Sequence, residues 1–226
     1  MTTPANETRF QDRTEAGSLL GAELKRRYGT QTEAIVLALP RGGVPVGFEV
    51  AKALDAELDV FIVRKLGVPG QEELAMGAIA SGGVRVLNRD VIRYASISQS
   101  VIEEAADREQ LELERRERSY RGDRNPLDIA GRTAFIIDDG LATGSTMRAA
   151  VQAVRKQEAR EVIAAVPVAA RETCLEFRGE VDDIICLRTP SPFHAVGLWY
   201  ADFRQTSDAE VQGLLRGAWL SAAAAR

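Results

Sequence analysis

Five short apolar runs, each of strand length, recur along this chain with helical patterns between most of them. They are Ala34–Leu39, Leu58–Val63, Thr133–Ile137, Val162–Ala169 and Asp183–Leu187. Continuous apolar runs of four to eight residues are typical of strands that are buried on both faces of a sheet. Their alternation with helices predicts an α/β fold with a mainly parallel sheet and right-handed crossovers.

The length of 226 residues is enough for a real core but short for two large domains. We therefore predict a single Rossmann-like α/β domain over 1–226, with its core at about 30–190. A small C-terminal hood and a terminal helix follow at about 190–221. The ligand site of such a sheet is expected where the parallel strands end.

Helical periodicity and capping signals place the helices between the strands. The predicted helices are Asp12–Arg27, Val46–Leu54, Ser98–Tyr120, Met147–Gln157, Glu172–Phe177 and a last helix from about Asp208. Ser98 or Ser100 can cap the long helix, and Gly122 is its expected stop. This helix carries many Glu–Arg pairs, which indicates a solvated outer helix. Two roles are open for it, a dimer contact or a cover over the sheet.

The segment between the second strand and that long helix is predicted to be a mobile loop followed by a small hairpin. From Gly67 to Glu73 the chain is rich in Gly, Pro and polar residues, which favours a mobile loop. The apolar runs on either side of Ser81–Gly83 then predict a β-hairpin.

The charge balance narrows the classes of partner. A net charge of −4 and a pI near 5.3 give no general attraction to nucleic acid or to an anionic membrane. No apolar run approaches the roughly 20 residues of a membrane span, and the polar opening Met1–Arg13 lacks the apolar core of a signal peptide. The expectation is a cytoplasmic protein.

The two cysteines do not predict a metal site or a disulfide framework. Cys174 and Cys186 form no CxxC motif, and His194 is the only histidine. Both are expected to be buried free thiols, as isolated cysteines in ordinary globular proteins usually are.

The most informative segment runs from Ala134 to Thr146 and consists of a buried strand, two aspartates, a loop of small residues and a helix start. A helix N-terminus exposes unpaired N–H groups and the positive end of the helix dipole, so residues 143–146 can hold a phosphate. Asp138 and Asp139 precede this anion site. Two carboxylates beside a phosphate favour a polyhydroxylated group between them, such as a ribose diol with Mg²⁺ nearby.

This segment resembles the motif of type I phosphoribosyltransferases that binds 5-phosphoribosyl-1-pyrophosphate (PRPP). The resemblance implies that Asp138 and Asp139 bind the ribose hydroxyls, with Mg²⁺ held there directly or through those hydroxyls. It also implies that the 5-phosphate is bound by Ala142, Thr143, Gly144, Ser145 and Thr146. Ala142 departs from the many purine-specific members with Asp at that place, so the loop supplies no catalytic base.

Two further segments match the order of motifs in this family. Pro40–Gly43 stands where the family has its pyrophosphate loop, which assigns pyrophosphate binding to Arg41, Gly42 and Gly43. Arg64 and Lys65 stand at the entrance of the catalytic loop, where positive charge would stabilise the departing pyrophosphate. A surface basic pair is the other interpretation of Arg64 and Lys65, and solvated charges explain Glu72 and Glu73 as well as catalytic acids do.

The C-terminal segment from Pro192 to Phe203 resembles the hood that covers the nucleobase in this family. Phe193, Trp199 and Tyr200 are therefore candidate base contacts, although packing inside the hood explains them equally well. His194 is expected to be a surface residue. The chain also resembles bacterial phosphoribosyltransferase-domain proteins with the same three signatures, Pro-Arg-Gly-Gly-Val-Pro-Val, Arg-Lys-Leu-Gly and Asp-Asp-Gly-Leu-Ala-Thr-Gly.

The resemblance implies an enzyme that uses Mg²⁺ and PRPP. It would transfer the phosphoribosyl group to an acceptor, a nucleobase by analogy, and release pyrophosphate with inversion at the anomeric carbon. A binding protein that senses PRPP or a nucleotide with little turnover is one alternative, and a different phosphoribosyl or nucleotide-cleaving reaction at the same site is another. A homodimer is compatible with the sequence, which does not identify the acceptor.

Overall fold

The computed structural model describes residues 9–224. Residues 1–8, most of the polar opening, and residues 225–226 lie outside this range. The helices are α1 Arg13–Tyr28, α2 Gly43–Leu54, α3 Arg89–Tyr94, α4 Gln99–Arg121, α5 Ser145–Lys156, α6 Arg171–Phe177 and α7 Asp208–Ala224. The strands are β1 Ile35–Ala38, β2 Glu57–Val60, β3 Val63–Val68, β4 Gln71–Ala80, β5 Val84–Leu87, β6 Thr133–Ile137, β7 Glu161–Val168 and β8 Asp183–Arg188.

The main sheet has five parallel strands in the order β2-β1-β6-β7-β8. Its central strand β6 is buried along its whole length, as is β1 beside it. Helices cover both faces, because the chain crosses from one strand to the next through a helix in the usual α/β manner. The predicted α/β fold with a mainly parallel sheet is confirmed.

The predicted C-terminal end of the second strand is wrong. It was expected to run from Leu58 to Val63, but β2 stops at Val60 and the chain then leaves the main sheet. The backbone N–H of Phe61 still donates to the carbonyl of Ala38, whereas that of Ile62 donates to the Ser81 hydroxyl. The change of partner redirects the chain into a second sheet, which is antiparallel and has the order β3-β4-β5.

The prediction of a mobile loop at Gly67–Glu73 is wrong for most of that segment, which belongs to β3 and β4 of this second sheet. β3 and β4 pair closely enough to leave only a tight turn at Pro69 and Gly70, where Gly70 has a φ of 78°. Arg64 and Lys65 consequently lie inside β3 and do not end a strand of the main sheet. The predicted hairpin is present, with β4 and β5 joined through Ser81–Gly83.

The long helix α4, Gln99–Arg121, lies within one residue of its predicted bounds at each end. Ser98 is its N-cap and accepts a hydrogen bond from the Val101 N–H, and Gly122 follows its last turn with a φ of 61°. One face is buried, however, and includes Arg121, whose guanidinium pairs with the buried carboxylate of Asp59 at 2.9 Å. The helix therefore serves at least as a cover over β3 and β4, and its Arg121 side chain reaches β2.

The prediction of two free thiols is wrong. Cys174 of α6 and Cys186 of β8 form a disulfide, and both side chains are only partly buried. The two residues are twelve positions apart in sequence, but α6 packs back against β8 and brings their sulfur atoms together. The absence of a CxxC motif could not reveal this pairing, because it depends on where the crossover helix lies.

No helix within residues 9–224 is both long enough and apolar enough to cross a membrane.

Candidate active site

The acidic pair lies at the C-terminal end of β6, in the centre of the main sheet. Asp139 is held from two sides. The Arg13 Nε donates to its Oδ2 at 2.8 Å, and the Tyr200 hydroxyl donates to its backbone carbonyl at 2.5 Å. Asp138 accepts a hydrogen bond from the backbone N–H of Asp139. Asp139 is therefore neutralised within the protein, whereas the Asp138 carboxylate has no cation bound to it in residues 9–224.

The surroundings of these carboxyls favour their protonated forms. Loss of water raises the pKa of Asp138 well above its usual value, and the negative charge of Asp139 raises it further. Burial also raises the pKa of Asp139, but the ion pair with Arg13 opposes that effect. Asp139 is thus the better candidate for a permanent charge, and Asp138 is the carboxyl whose charge a ligand can change.

The loop between β6 and α5 has the geometry of an anion site. Gly144 precedes α5 with a φ of 75°, a conformation that glycine adopts readily. Within the described chain, the N–H groups of Ser145, Thr146 and Met147 in the first turn of α5 have no hydrogen-bond partner. Ala142 and Thr143 are exposed, so solvent and ligands reach the loop. These features favour binding of a phosphate at this end of α5.

Side chains from two helices fix this loop from behind. The Thr173 hydroxyl of α6 donates to the Ala142 carbonyl at 2.6 Å, and Arg148 of α5 donates to the Thr143 carbonyl at 2.8 Å. A Cβ on Gly144 would lie 2.5 Å from the ring of Phe177, so only glycine fits against α6 there. The loop carbonyls therefore point toward protein donors.

The loop predicted to bind pyrophosphate lies directly against the acidic pair. A Cβ on Gly42 would overlap the Asp139 carboxylate, and one on Gly43 would lie 2.7 Å from the Ile137 carbonyl. The Leu39 N–H donates to that same carbonyl at 2.8 Å, and the Pro40–Arg41 peptide bond is cis. The structure thus brings two motifs together that are almost one hundred residues apart in sequence.

The predicted basic residues have different environments. The Arg41 guanidinium faces α7 and lies 3.8 Å from the Asp208 carboxylate. Arg64 forms a two-point ion pair with Glu109 of α4, at 2.8 Å from its Nε and 2.6 Å from its NH2 group. Lys65 is exposed and forms no ion pair with any described residue. Of the two β3 residues, only Lys65 is free to meet a ligand without breaking a contact.

The hood packs on the acidic pair through its aromatic residues. Tyr200 is buried beside Phe10, while Phe193 and Trp199 pack around them and stay partly exposed. The Phe10 N–H donates to the Trp199 carbonyl at 2.9 Å, so the segment before α1 completes the hood. His194 is exposed, as predicted.

Three contacting residues were not found from the sequence, namely Arg13, Arg148 and Thr173. Arg13 reaches Asp139 from a helix 126 positions earlier and also lies 4.0 Å from the Phe203 ring centroid. Nothing in the local pattern of α1 distinguishes Arg13 from its exposed basic neighbours. The contacts of Arg13, Arg148 and Thr173 depend on how the helices pack.

The donor set fits a Mg²⁺ ion that is held mainly by substrate. Residues 9–224 contain no group of three or more acidic, histidine or cysteine side chains arranged around a common point. Mg²⁺ is commonly bound by one or two carboxylates together with water and substrate oxygens, and Asp138 with Asp139 can supply such carboxylates. The residues therefore suit a metal that arrives with a phosphorylated ligand.

The chain is similar to known proteins in sequence and in fold. The Phosphoribosyl transferase domain family matches residues 16–197. Two Mycobacterium tuberculosis relatives, each described as a candidate phosphoribosyl transferase, are 47% identical to the chain over 206 residues, which is 91% of this chain and 46% of theirs. The crystal structure of TT1426 from Thermus thermophilus is similar with a TM-score of 0.83 at 40% identity, covering 92% of this chain and 98% of that protein.

The chain therefore spans about half the length of the curated relatives that it matches. In contrast, the similarity to TT1426 extends over nearly the whole of both proteins.

Proposed function

Because the chain belongs to the phosphoribosyl transferase domain family, we propose that it transfers the 5-phosphoribosyl group of PRPP to an acceptor, a nucleobase by analogy, and releases pyrophosphate. A single domain, with the hood as part of it, would carry out this transfer. Mg²⁺ is the metal proposed to accompany PRPP. We also propose that the protein is cytoplasmic and binds these substrates there.

One observation carries the proposal. The unpaired N–H groups at the start of α5, the acidic pair and the Gly42–Gly43 loop converge on the C-terminal end of the parallel sheet. An anion site, carboxylates for hydroxyl groups and a second close-approach glycine loop match the 5-phosphate, the ribose and the pyrophosphate of PRPP in that order. Parallel α/β sheets bind ligands at this edge.

The protein's share of the chemistry would be positioning and electrostatics. The loop from Ala142 to Thr146 would hold the 5-phosphate, and Asp138 would accept hydrogen bonds from the ribose hydroxyls. Arg41 and Lys65 would stabilise negative charge on the departing pyrophosphate. Mg²⁺, when bound with PRPP, would supply further positive charge to the same oxygens.

The acceptor is the least specified part of the proposal. Phe193 and Trp199 are partly exposed at the hood and offer aromatic surface for a flat heterocycle. Tyr200 is engaged with Asp139 through its hydroxyl, so its proposed contribution is to hold the hood on the acidic pair. No base is proposed from the phosphate loop, because Ala142 cannot accept a proton.

The test is incubation of the protein with Mg²⁺, PRPP and a panel of nucleobases while pyrophosphate release is measured. Release that depends on one base is the expected result. The double variant Asp138→Asn with Asp139→Asn should abolish release and weaken PRPP binding at least ~10-fold, which corresponds to roughly 1.4 kcal/mol. Binding of PRPP that is unaffected by both substitutions would refute the ribose assignment.

A second candidate function is a PRPP or nucleotide sensor with little turnover. It is favoured by the engagement of Arg64 with Glu109, which leaves one fewer free cation for the leaving pyrophosphate. Tight PRPP binding without pyrophosphate release from any base would support the sensor and contradict the transferase.

A further inference from the structure

A small polar pocket lies between the Pro40–Gly43 loop and helices α4 and α7. Its volume is about 120 Å³, and its lining residues are Arg41, Arg115, Arg116, Ser119, Tyr120 and Asp208. Three arginines from two distant parts of the chain thus line one pocket. Only Arg41 belongs to a segment that the proposed function already uses.

The two α4 arginines are held in place by one carboxylate. Glu112 accepts from the Nε of Arg115 and from the Nε of Arg116, in each case at 2.7 Å. These hydrogen bonds lower the pKa of Glu112 to about 2, so it stays charged and orients both groups. Each guanidinium has five N–H donors, and most of those on Arg116 remain available to a ligand. The arginines are therefore preorganised for an additional anion.

An internal carboxylate occupies part of this pocket. Asp208, the first residue of α7, lies 3.8 Å from the Arg41 NH1 group and accepts the Tyr120 hydroxyl at 2.7 Å. The Arg41–Asp208 pair is exposed and long, and pairs of that kind contribute little to stability. A multiply charged anion could displace Asp208 from Arg41 while Tyr120 keeps its own hydrogen bond.

We propose that helix α4 supplies part of a diphosphate-binding site, in which Arg115 and Arg116 act together with Arg41, and Asp208 serves as the counterion before a ligand binds. Diphosphate is the ligand class that fits, because its two charged groups can engage several guanidinium groups at once. The loop that carries Arg41 is also the one whose glycines contact the acidic pair.

This inference rests on the proposed function in one respect, since the diphosphate can belong to PRPP. It can also belong to a separate ligand that reaches the pocket from solvent. Both sources present the same chemistry to the arginines, and the binding experiment separates them.

The experiment is isothermal titration of inorganic pyrophosphate, and separately of PRPP with Mg²⁺, into the full chain. We expect Arg115→Gln with Arg116→Gln to weaken pyrophosphate binding by ~10-fold or more, and Asp208→Asn to strengthen it about threefold. A parallel loss for PRPP assigns the diphosphate to PRPP, whereas an unchanged PRPP affinity assigns it to a separate ligand. Both results support the site.

The matched control is Arg118→Gln, which removes the same charge from an exposed position of α4 outside the pocket. Unchanged affinity in this variant is expected, with circular dichroism confirming that all variants fold. Pyrophosphate binding that is absent in the wild type, equal in the double variant, or equally weakened by Arg118→Gln overturns the site. PRPP binding that fails while arginine-dependent pyrophosphate binding persists would instead overturn the proposed function alone.

Discussion

Arg13 donates from its Nε to the Oδ2 of Asp139 at 2.8 Å, across 126 positions of sequence. The side chains of both residues are largely buried, at 11% and 15% exposure. The contact joins the first helix to the carboxylate pair of the candidate site. It also gives the two aspartates different electrostatic environments, because Asp139 pairs with Arg13 and Asp138 has no cationic partner among the described residues.

We first predict that Arg13→Gln destabilises the protein by about 2 kcal/mol at pH 8, because a partly buried carboxylate would lose its countercharge. The loss should be smaller at pH 5, where Asp139, with a pKa no longer held down by Arg13, can become protonated. Chemical denaturation at the two pH values measures this difference. Arg9→Gln, which removes an exposed arginine just before α1, should change neither value. An equal loss at both pH values would argue against an electrostatic role.

The second prediction concerns Asp138, whose pKa is raised in the folded protein. A carboxyl of this kind stabilises the fold below its unfolded-state pKa of about 4, and that contribution is lost as pH rises through the folded pKa. Asp138→Asn should therefore be more stable than the wild type at pH 8, with the advantage disappearing toward pH 4. Thermal denaturation without ligand measures it. A variant that is less stable at pH 8 would contradict the assignment.

The third prediction tests the contact between the glycine loop and the acidic pair. In Gly42→Ala the new methyl group would overlap the Asp139 carboxylate, so the loop or the carboxylate must move. PRPP affinity should fall at least ~10-fold. Gly213→Ala is the matched control, because it lies in α7 with open space around it and should keep full affinity. Equal binding by the two variants would show that the close contact is not needed.

The fourth prediction follows from the Cys174–Cys186 disulfide. It ties α6 to β8, and α6 holds the phosphate loop through Thr173 and Phe177. Reduction by dithiothreitol should lower the free energy of unfolding by up to about 3 kcal/mol, as for other short disulfide loops. It should also weaken phosphate binding. Cys174→Ser should behave like the reduced protein and be insensitive to the reductant. A wild type equally indifferent to reduction would count against the disulfide.

The fifth prediction separates catalysis from sensing. Lys65 is exposed in β3, and if it stabilises the departing pyrophosphate, Lys65→Ala should lower kcat more than it weakens PRPP binding. Steady-state kinetics together with direct PRPP titration provide both quantities. Lys25→Ala, an exposed lysine of α1, should leave them unchanged. A loss confined to affinity would favour the sensor.

Patterns that depend on near neighbours in sequence predicted much of the fold. The strands Thr133–Ile137 and Val162–Ala169 are found within a residue of their predicted ends, because a continuous apolar run is only stable when both of its faces are buried. The Gly122 stop of α4 and a cap at Ser98 or Ser100 were also predicted, since capping depends on a few adjacent backbone groups, and the structure has the cap at Ser98. The order of motifs likewise indicated the family.

Tertiary structure alone decided which residues meet. Four features depend on segments that are separate in sequence. They are the exit of the chain at Phe61 into a second sheet, the disulfide, the Arg13–Asp139 pair and the pocket that three arginines line with Asp208. Periodicity and capping report the local conformation of a segment and the face that it buries. The packing of helices and sheets decides which residues lie across that face. It brings together side chains whose contact cannot be identified from the residues next to them in sequence.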